Sequence, residues 1–445
     1  MKKCLIVGGG FSGLAAAVFL SKKNYQVELI ESSPKLGGRA YSFVDNKTNS
    51  VIDNGQHILM GCYKETLNFL KLINSIDSLH YQQSLEVNYI DKKGKTHKLK
   101  APEYFYPFNL LVAILRYTAV SFRDRLLIIK FCVKLFLLNP ENVKEKNVSE
   151  WLENEGQNEN IRKSLWEIIA VGALNCRLSD ASPNLFAKIL KQIFFNGNFS
   201  ATIIIPKKGL SEIYCYDAVK FLTNKGGIIS TSETVKEIVI EENKVVFVKT
   251  NKRTIDDFDF VLFAIPSFSL LQIKGVPAYI TEIASLFKYS SILTFHIWLK
   301  DFIMQKPFIG LIDSPVHWVF DHGEYITTVI SNAETIINKD ETSLFEIVKT
   351  ELKKYLNILD ENIIDFKMIK EKRATFIPYP EILPKRPSTK TEIINLFLAG
   401  DWINTGLPST IEGAVVSAQI ATDAIMKSII NEHPTNYRQP RYPQL

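Results

Sequence analysis

KKCLIVGGGFSGLAAAVFLSKKNYQVELIES, residues 2–32, decides how the rest of the chain is read. Leu5-Ile6-Val7 reads as a buried strand, and Gly8, Gly10 and Gly13 form G-x-G-x-x-G. The alanine-rich run through Ala17 reads as a helix, and Val27-Glu28-Leu29-Ile30 as a second strand closed by Glu31. Each part has a task at a dinucleotide site. Gly8 permits the tight turn, Gly10 lets a pyrophosphate approach the backbone, and Gly13 allows close helix packing. Phe11 and Ser12 open the helix, whose free N–H groups and positive dipole end suit phosphates. Glu31 stands where an acid accepts ribose hydroxyls, and its charge disfavours a 2′-phosphate, which leaves FAD or NAD.

The totals fit a folded protein of two or more domains. At 445 residues the chain exceeds one ordinary core. Its 46% hydrophobic and 22% charged residues exclude a disordered chain. A net charge of +6 is modest; it does not imply nucleic acid and is compatible with an anionic membrane surface. The five cysteines are scattered without metal-ligand spacing, so no metal site and no disulfide framework is expected, and a reducing cytoplasm fits. The apolar run Cys4–Val7 is too short for the core of a signal peptide. No stretch reaches the ~20 apolar residues of a spanning helix.

Three further segments choose between FAD and NAD. Gly37-Gly38-Arg39 follows Glu31 directly, and an NAD site has no need of it. Leu396–Ala399 reads as a strand ended by Gly400-Asp401, after which Ser409 or Thr410 can cap a helix starting near Ile411 with Glu412 in its first turn. Pro206-Lys207-Lys208-Gly209-Leu210 precedes Glu233-Thr234-Val235 and the apolar run Phe260–Pro266. Together these resemble, in order along most of the chain, the flavin amine oxidase and carotenoid desaturase superfamily, although Lys208 replaces a glycine and Ala418 follows Ser417 where a glycine is usual.

The resemblance implies an α/β fold: a Rossmann-like FAD domain from 1–75, 205–270 and 385–430, and an inserted α+β substrate domain from 76–204 and 271–384 with a helical, membrane-facing part. It implies that Gly38 and Arg39 lie along the FAD, that the Val235 backbone meets adenine, and that Gly400 and Asp401 reach the ribityl chain or pyrophosphate. The N–H groups near Glu412, Gly413 and Ala414 would face the flavin pyrimidine edge, with Thr410 and Ile411 also in the cofactor site, and a helix N-terminus there stabilises reduced-flavin charge. Residues 431–445 read as a poorly ordered tail.

VIDNGQHILMG, residues 51–61, interrupts an apolar stretch with a polar turn. Asp53-Asn54-Gly55-Gln56-His57 resembles the D-N-G-Q-H of the hydroxysqualene dehydroxylases, a squalene-associated branch of the superfamily. Thr405–Ala414 and Ala173-Leu174-Asn175 resemble the same branch. Thr410 stands where amine oxidases usually carry a cage aromatic. By resemblance Gly55, Gln56 and His57 lie against the isoalloxazine.

The implied reaction is reductive removal of the allylic hydroxyl of hydroxysqualene, a long-chain isoprenoid, to give squalene. Hydride passes from flavin N5 to an allylic cation held about 3–3.5 Å away. His57 is either the proton donor for the leaving hydroxyl or a residue that orders the loop. Asn175 is a candidate for orienting the substrate oxygen. An oxidative isoprenoid desaturase and a flavin-free prenyl-lipid-binding protein are the alternatives, and the electron donor is unidentified because no second G-x-G-x-x-G exists. The 105–138 region reads as a core helix with snorkelling lysines or as a face on the inner side of the cytoplasmic membrane. Phe295, Ile297 and Leu299 alternate as a strand below the flavin.

Overall fold

The computed structural model describes residues 1–103, 105–300, 302 and 304–432. The helix Ile411–Glu432 takes in the first two residues of the expected tail, and the reading for 433–445 lies outside the described residues.

Five parallel strands form the first sheet, in the order Ile228–Ser230, Gln26–Ile30, Lys3–Val7, Phe260–Phe263, Leu396–Leu398. Its two faces follow from the strand period of two. Cys4 and Ile6 pack with the helices Phe11–Lys22 and Ile411–Glu432, whereas Leu5 and Val7 pack with Val235, Ile238, Val245 and Val248 of a small antiparallel sheet. A parallel sheet covered on both sides needs such uninterrupted apolar strands.

The helix Phe11–Lys22 is buried from Phe11 through Ser21. It is apolar all round because it lies between the sheet and the C-terminal helix. Small side chains, Ala15, Ala16, Ala418 and Ala421 among them, line this layer, so Ala418 fits where a glycine was expected. The helix ends at Asn24, which takes a left-handed conformation (φ 63°) open to asparagine.

The second sheet has seven strands, in the order Ile363–Phe376, Tyr289–Leu299, Tyr325–Ser331, Trp318–Asp321, Phe308–Leu311, Glu86–Ile90, Thr96–Lys100. Both long inserts contribute, joined where Phe308–Leu311 runs parallel to Glu86–Ile90. The expected strand is present as Tyr289–Leu299, and its two rows meet different surroundings. Leu293, Phe295 and Ile297 pack on Leu344, Val348 and Leu352 of the helix Glu341–Leu356, away from the 53–55 turn, and Leu299 packs beside them. Thr294 and His296, one residue out of phase, face that turn instead.

Helices Phe108–Arg116, Phe122–Leu137, Val148–Asn154, Glu167–Leu174 and Pro183–Phe194 cover the other side of this sheet. Phe131 sits edge-on between Trp151 and Trp166, at 5.2 and 5.1 Å between ring centroids. Ser121 and Asp124 start the helix Phe122–Leu137 with a reciprocal capping box. Among the described residues no helix is long and apolar enough to cross a membrane.

At Gly13 an added Cβ would lie 1.8 Å from the Gly8 carbonyl oxygen. Gly172→Ala meets nothing nearer than Trp318 Nε1 at 3.9 Å. Urea unfolding should show Gly13→Ala losing at least about 1–3 kcal/mol, and Gly172→Ala neutral or gaining about 0.4–1 kcal/mol. Equal losses would contradict the packing described.

Candidate active site

The first helix opens without a side-chain cap, and the N–H groups of Phe11, Ser12 and Gly13 meet no acceptor among the described residues. Gly10 and Gly38 face each other: a Cβ on Gly38, itself at φ 59°, would stand 3.2 Å from Gly10 Cα. This is a slot that a side chain would fill and a phosphate chain fits. Glu31, 8% exposed, closes its far end. Its Oε2 accepts from Gly9 N at 2.6 Å and its Oε1 from Ser33 N at 2.8 Å. Ser32 Oγ also donates to Oε1, at 3.0 Å, so Oε2 is the oxygen that keeps a lone pair for a ribose hydroxyl. Val235 lies in the segment set beside Glu31 by the bond from Glu233 N to the Glu31 carbonyl, 2.8 Å.

The phenyl ring of Phe11 turns into the core and stacks on Tyr214 at 3.7 Å between centroids, so only its backbone is free for a cofactor. The Tyr214 hydroxyl donates to the Gly37 and Ala40 carbonyls, 2.7 Å each, and holds the Gly-Gly-Arg turn in place.

The far end of the chain meets this cradle directly. Gly400 N donates to Ser417 Oγ at 2.7 Å, and Ser417 Oγ lies 3.1 Å from Ser12 Oγ. Arg39 Nη2 contacts Asp401 Oδ1 at 2.5 Å, and Arg39 Nη1 donates to the Ala374 carbonyl at 2.9 Å. Ser409 donates to the other oxygen of Asp401. Burial opposes charge on Asp401, yet Arg39, Ser409 and Arg386 together hold its carboxyl below the ordinary value. The guanidinium of Arg39 is therefore occupied in joining three segments, and it would meet FAD only from beside this pair.

Arg386 organises the turn that follows. It is buried and donates to the backbone carbonyls of Asp401, Trp402, Ile403 and Leu407. Burial pulls its pKa down to about 10, against the opposing pull of Asp401.

At the start of the last helix, Thr410 Oγ1 accepts from Gly413 N at 3.1 Å and the Thr410 carbonyl accepts from Ala414 N at 3.0 Å. This corrects the expectation for Gly413 and Ala414, whose N–H groups are taken. The N–H groups of Ile411 and Glu412 meet no acceptor among the described residues and remain for a flavin. The Glu412 carboxylate turns away and caps another helix, accepting from Glu65 N at 3.0 Å and Thr66 N at 2.9 Å. Burial pushes its pKa up, and these donors pull it back only in part.

The 51–61 stretch is tied down residue by residue. Asp53 Oδ1 accepts from Ser42 Oγ and Leu210 N, at 2.6 and 3.0 Å, while burial raises its pKa to about 6. Asn54 brackets the Arg39 turn, donating to the Arg39 carbonyl and accepting from Tyr41 N. His296 Nε2 donates to the Asp53 carbonyl at 2.9 Å and Nδ1 meets Thr327 Oγ1, with burial lowering its pKa to about 4. Gly55 lies over Thr294: an added Cβ would be 3.7 Å from Thr294 Oγ1. The side chain of Gln56 has no partner among the described residues.

His57 Nδ1 donates to the Gly55 carbonyl at 2.8 Å, and burial lowers the ring's pKa. A carbonyl only accepts, so the neutral ring carries its proton on Nδ1 and a lone pair on Nε2. Asn175 is committed elsewhere. It ends the helix Glu167–Leu174 in a left-handed conformation, its Oδ1 accepts from Asn332 N at 2.8 Å, and its Nδ2 donates to Thr375 Oγ1 at 3.0 Å. That clamp joins the helical layer to the second sheet and leaves one Nδ2 proton and one Oδ1 lone pair.

The site thus has one uncapped helix end, a second capped by Thr410 that still leaves two N–H groups open, a glycine slot, a ribose-type acid and an ion pair between them. Comparison with known proteins agrees with this geometry. The family model described as flavin containing amine oxidoreductase matches residues 11–426. A hydroxysqualene dehydroxylase of Sinorhizobium fredii is 25% identical over 95% of this chain and 98% of its own length. A chloroplastic/chromoplastic 15-cis-phytoene desaturase of Glycine max is 23% identical over 95% of this chain and 79% of its own. An oxidoreductase from Methanosarcina mazei superposes with a TM-score of 0.75 at 16% identity, covering 96% of this chain and all of that one.

The Arg39–Asp401 pair has a pH signature. The folded carboxyl of Asp401 titrates below its unfolded value, so its contribution is complete above the unfolded value and lost as pH falls through the lower, folded one. Asp401→Asn leaves two guanidiniums without their carboxylate. Chemical unfolding at neutral pH should show a loss of about 3–5 kcal/mol and a shallower fall in stability on acidification than in the parent. A variant with parental stability and an unchanged acid limb would remove the pair from its central place.

Proposed function

The chain belongs to the flavin containing amine oxidoreductase family, and on that premise we propose that it converts hydroxysqualene to squalene by reductive dehydroxylation. The protein is an FAD-dependent oxidoreductase. The observation that carries the narrower reading is the end-to-end similarity to a hydroxysqualene dehydroxylase, together with the Asp53–His57 turn.

The residues fit the cofactor. Phe11 and Ser12 N–H would hold the pyrophosphate, Glu31 the ribose, and Ile411 and Glu412 N–H the flavin's pyrimidine edge. When bound and reduced, FAD supplies the hydride that replaces the hydroxyl. The balance is one alcohol, one hydride and one proton giving one hydrocarbon and one water. The protein's own tasks are to hold the carbinol carbon in place, protonate the leaving oxygen and keep out water that would recapture a cation.

His57 bears on the proton. Its bond to Gly55 orders the turn, and burial disfavours the imidazolium that a donor at Nε2 requires. The positioning role is therefore favoured. For His57→Ala we expect weaker FAD binding and a fall in turnover well short of the 10²–10⁴-fold attributed to a general acid. A loss of that full size with parental FAD affinity would make His57 the proton donor.

The desaturase reading is supported by the phytoene desaturase relatives and runs electrons the other way. A flavin-free lipid carrier has no use for the glycine slot and the paired helix ends. Anaerobic protein reduced with dithionite should form squalene from hydroxysqualene, one equivalent per flavin reoxidised. No squalene, with bleaching of the oxidised flavin by phytoene or squalene, would establish the desaturase instead.

A further inference from the structure

The helix Phe122–Leu137 has a largely exposed face, on which Phe136 meets Phe195 edge-on at 5.3 Å between ring centroids. Asp124, Ile128, Phe131 and Leu135 point inward. On the opposite side Phe122, Leu126, Val133, Phe136 and Leu137 are 63%, 49%, 60%, 59% and 78% exposed. At the helical period these five form one stripe, roughly 24 Å from end to end for 16 residues. The neighbouring helix Phe108–Arg116 packs against this one and adds Phe108, 61% exposed. Single exposed apolar residues are ordinary, whereas a row of them on a monomer marks an interaction site.

Charge says what covers it. Arg123 and Lys130 flank the stripe, and Arg116 ends the neighbouring helix. None of the three has a carboxylate partner among the described residues. Lys134 pairs with Glu155 at 2.5 Å. The sole acid of the helix, Asp124, is buried and bonded to Ser121 and Asn158. In a two-fold dimer through this helix, the basic edge would meet a face without exposed acid. An apolar stripe with a free basic border instead matches the boundary between acyl chains and anionic headgroups.

We propose that the helix Phe122–Leu137 lies in the plane of an anionic phospholipid surface, with Phe122, Leu126, Val133, Phe136 and Leu137 entering the acyl boundary and Arg123 and Lys130 on headgroup phosphates. This surface role does not depend on the direction of the redox reaction. Its consequence is that a substrate dissolved in the bilayer reaches the protein without crossing water.

The test is sedimentation of the FAD-loaded full chain with phosphatidylcholine vesicles, with and without phosphatidylglycerol. The parent protein should sediment with the mixed vesicles and much less with pure phosphatidylcholine. Val133→Asp with Phe136→Asp should stay in the supernatant while keeping the flavin spectrum. Arg123→Gln with Lys130→Gln should lose about tenfold or more in partitioning, and only on the anionic vesicles. Should the aspartate pair lose its flavin, the glutamine pair decides, since those side chains fill no core position.

Three results would overturn the proposal: no sedimentation of the flavin-loaded parent on mixed vesicles, parental sedimentation of the variants that retain flavin, or a parent dimer that the aspartate pair splits into monomers. The last would assign the stripe to a second copy of the chain.

Discussion

The ion pair between the buried Asp401 and the part-buried Arg39 is the contact on which the architecture turns. Its partners lie at opposite ends of the chain, one after the first β-α-β unit and the other after the last strand of the same sheet. A charge pair out of water contributes only when its geometry is good and its remaining valences are filled. Here Ser409 fills the second carboxylate oxygen, and the Ala374 carbonyl takes a second guanidinium donor. Because Ala374 belongs to the long strand of the other sheet, one guanidinium ties together the two halves of the nucleotide cradle and the substrate side.

Strand alternation then decides what each sheet presents. In the parallel sheet both rows are apolar because both faces are covered. In the seven-stranded sheet the rows differ. The Leu293–Ile297 row is sealed by a helix, and the Thr294–His296 row supports the Asp53–Gly55 turn. A slip of one residue would exchange these faces and put phenylalanine where the turn needs a donor. The buried histidine stays neutral, with a pKa near 4, and so serves as a fixed hydrogen-bonding strut.

Much of this was legible in the sequence because the nucleotide cradle is local. The glycine spacing, Glu31 and the strand before Gly400 are read within short windows, and the structure brings them together. Phe11 shows where such reading stops: its position in the motif was right, but its ring serves the core. Tyr214 and Arg386 were missed because their acceptors are main-chain carbonyls far away in sequence, which no side-chain pattern reveals. Asn175 makes a structural bond at each amide atom, and the Ala414 N–H makes the first bond of its helix, to the Thr410 carbonyl; neither can be read from a local motif. For Tyr289–Leu299 the alternation shows the strand, but alternation alone does not say which row meets the 53–55 turn.

In this arrangement two distant segments of the chain would hold one flavin between them. A crystal structure of the FAD-loaded protein tests it most directly. The account predicts pyrophosphate oxygens within about 3.2 Å of Phe11 or Ser12 N–H and the flavin's pyrimidine edge within the same reach of Ile411 or Glu412 N–H. A flavin held at one helix end alone, with the Arg39–Asp401 pair separated and the other end bare, would contradict it.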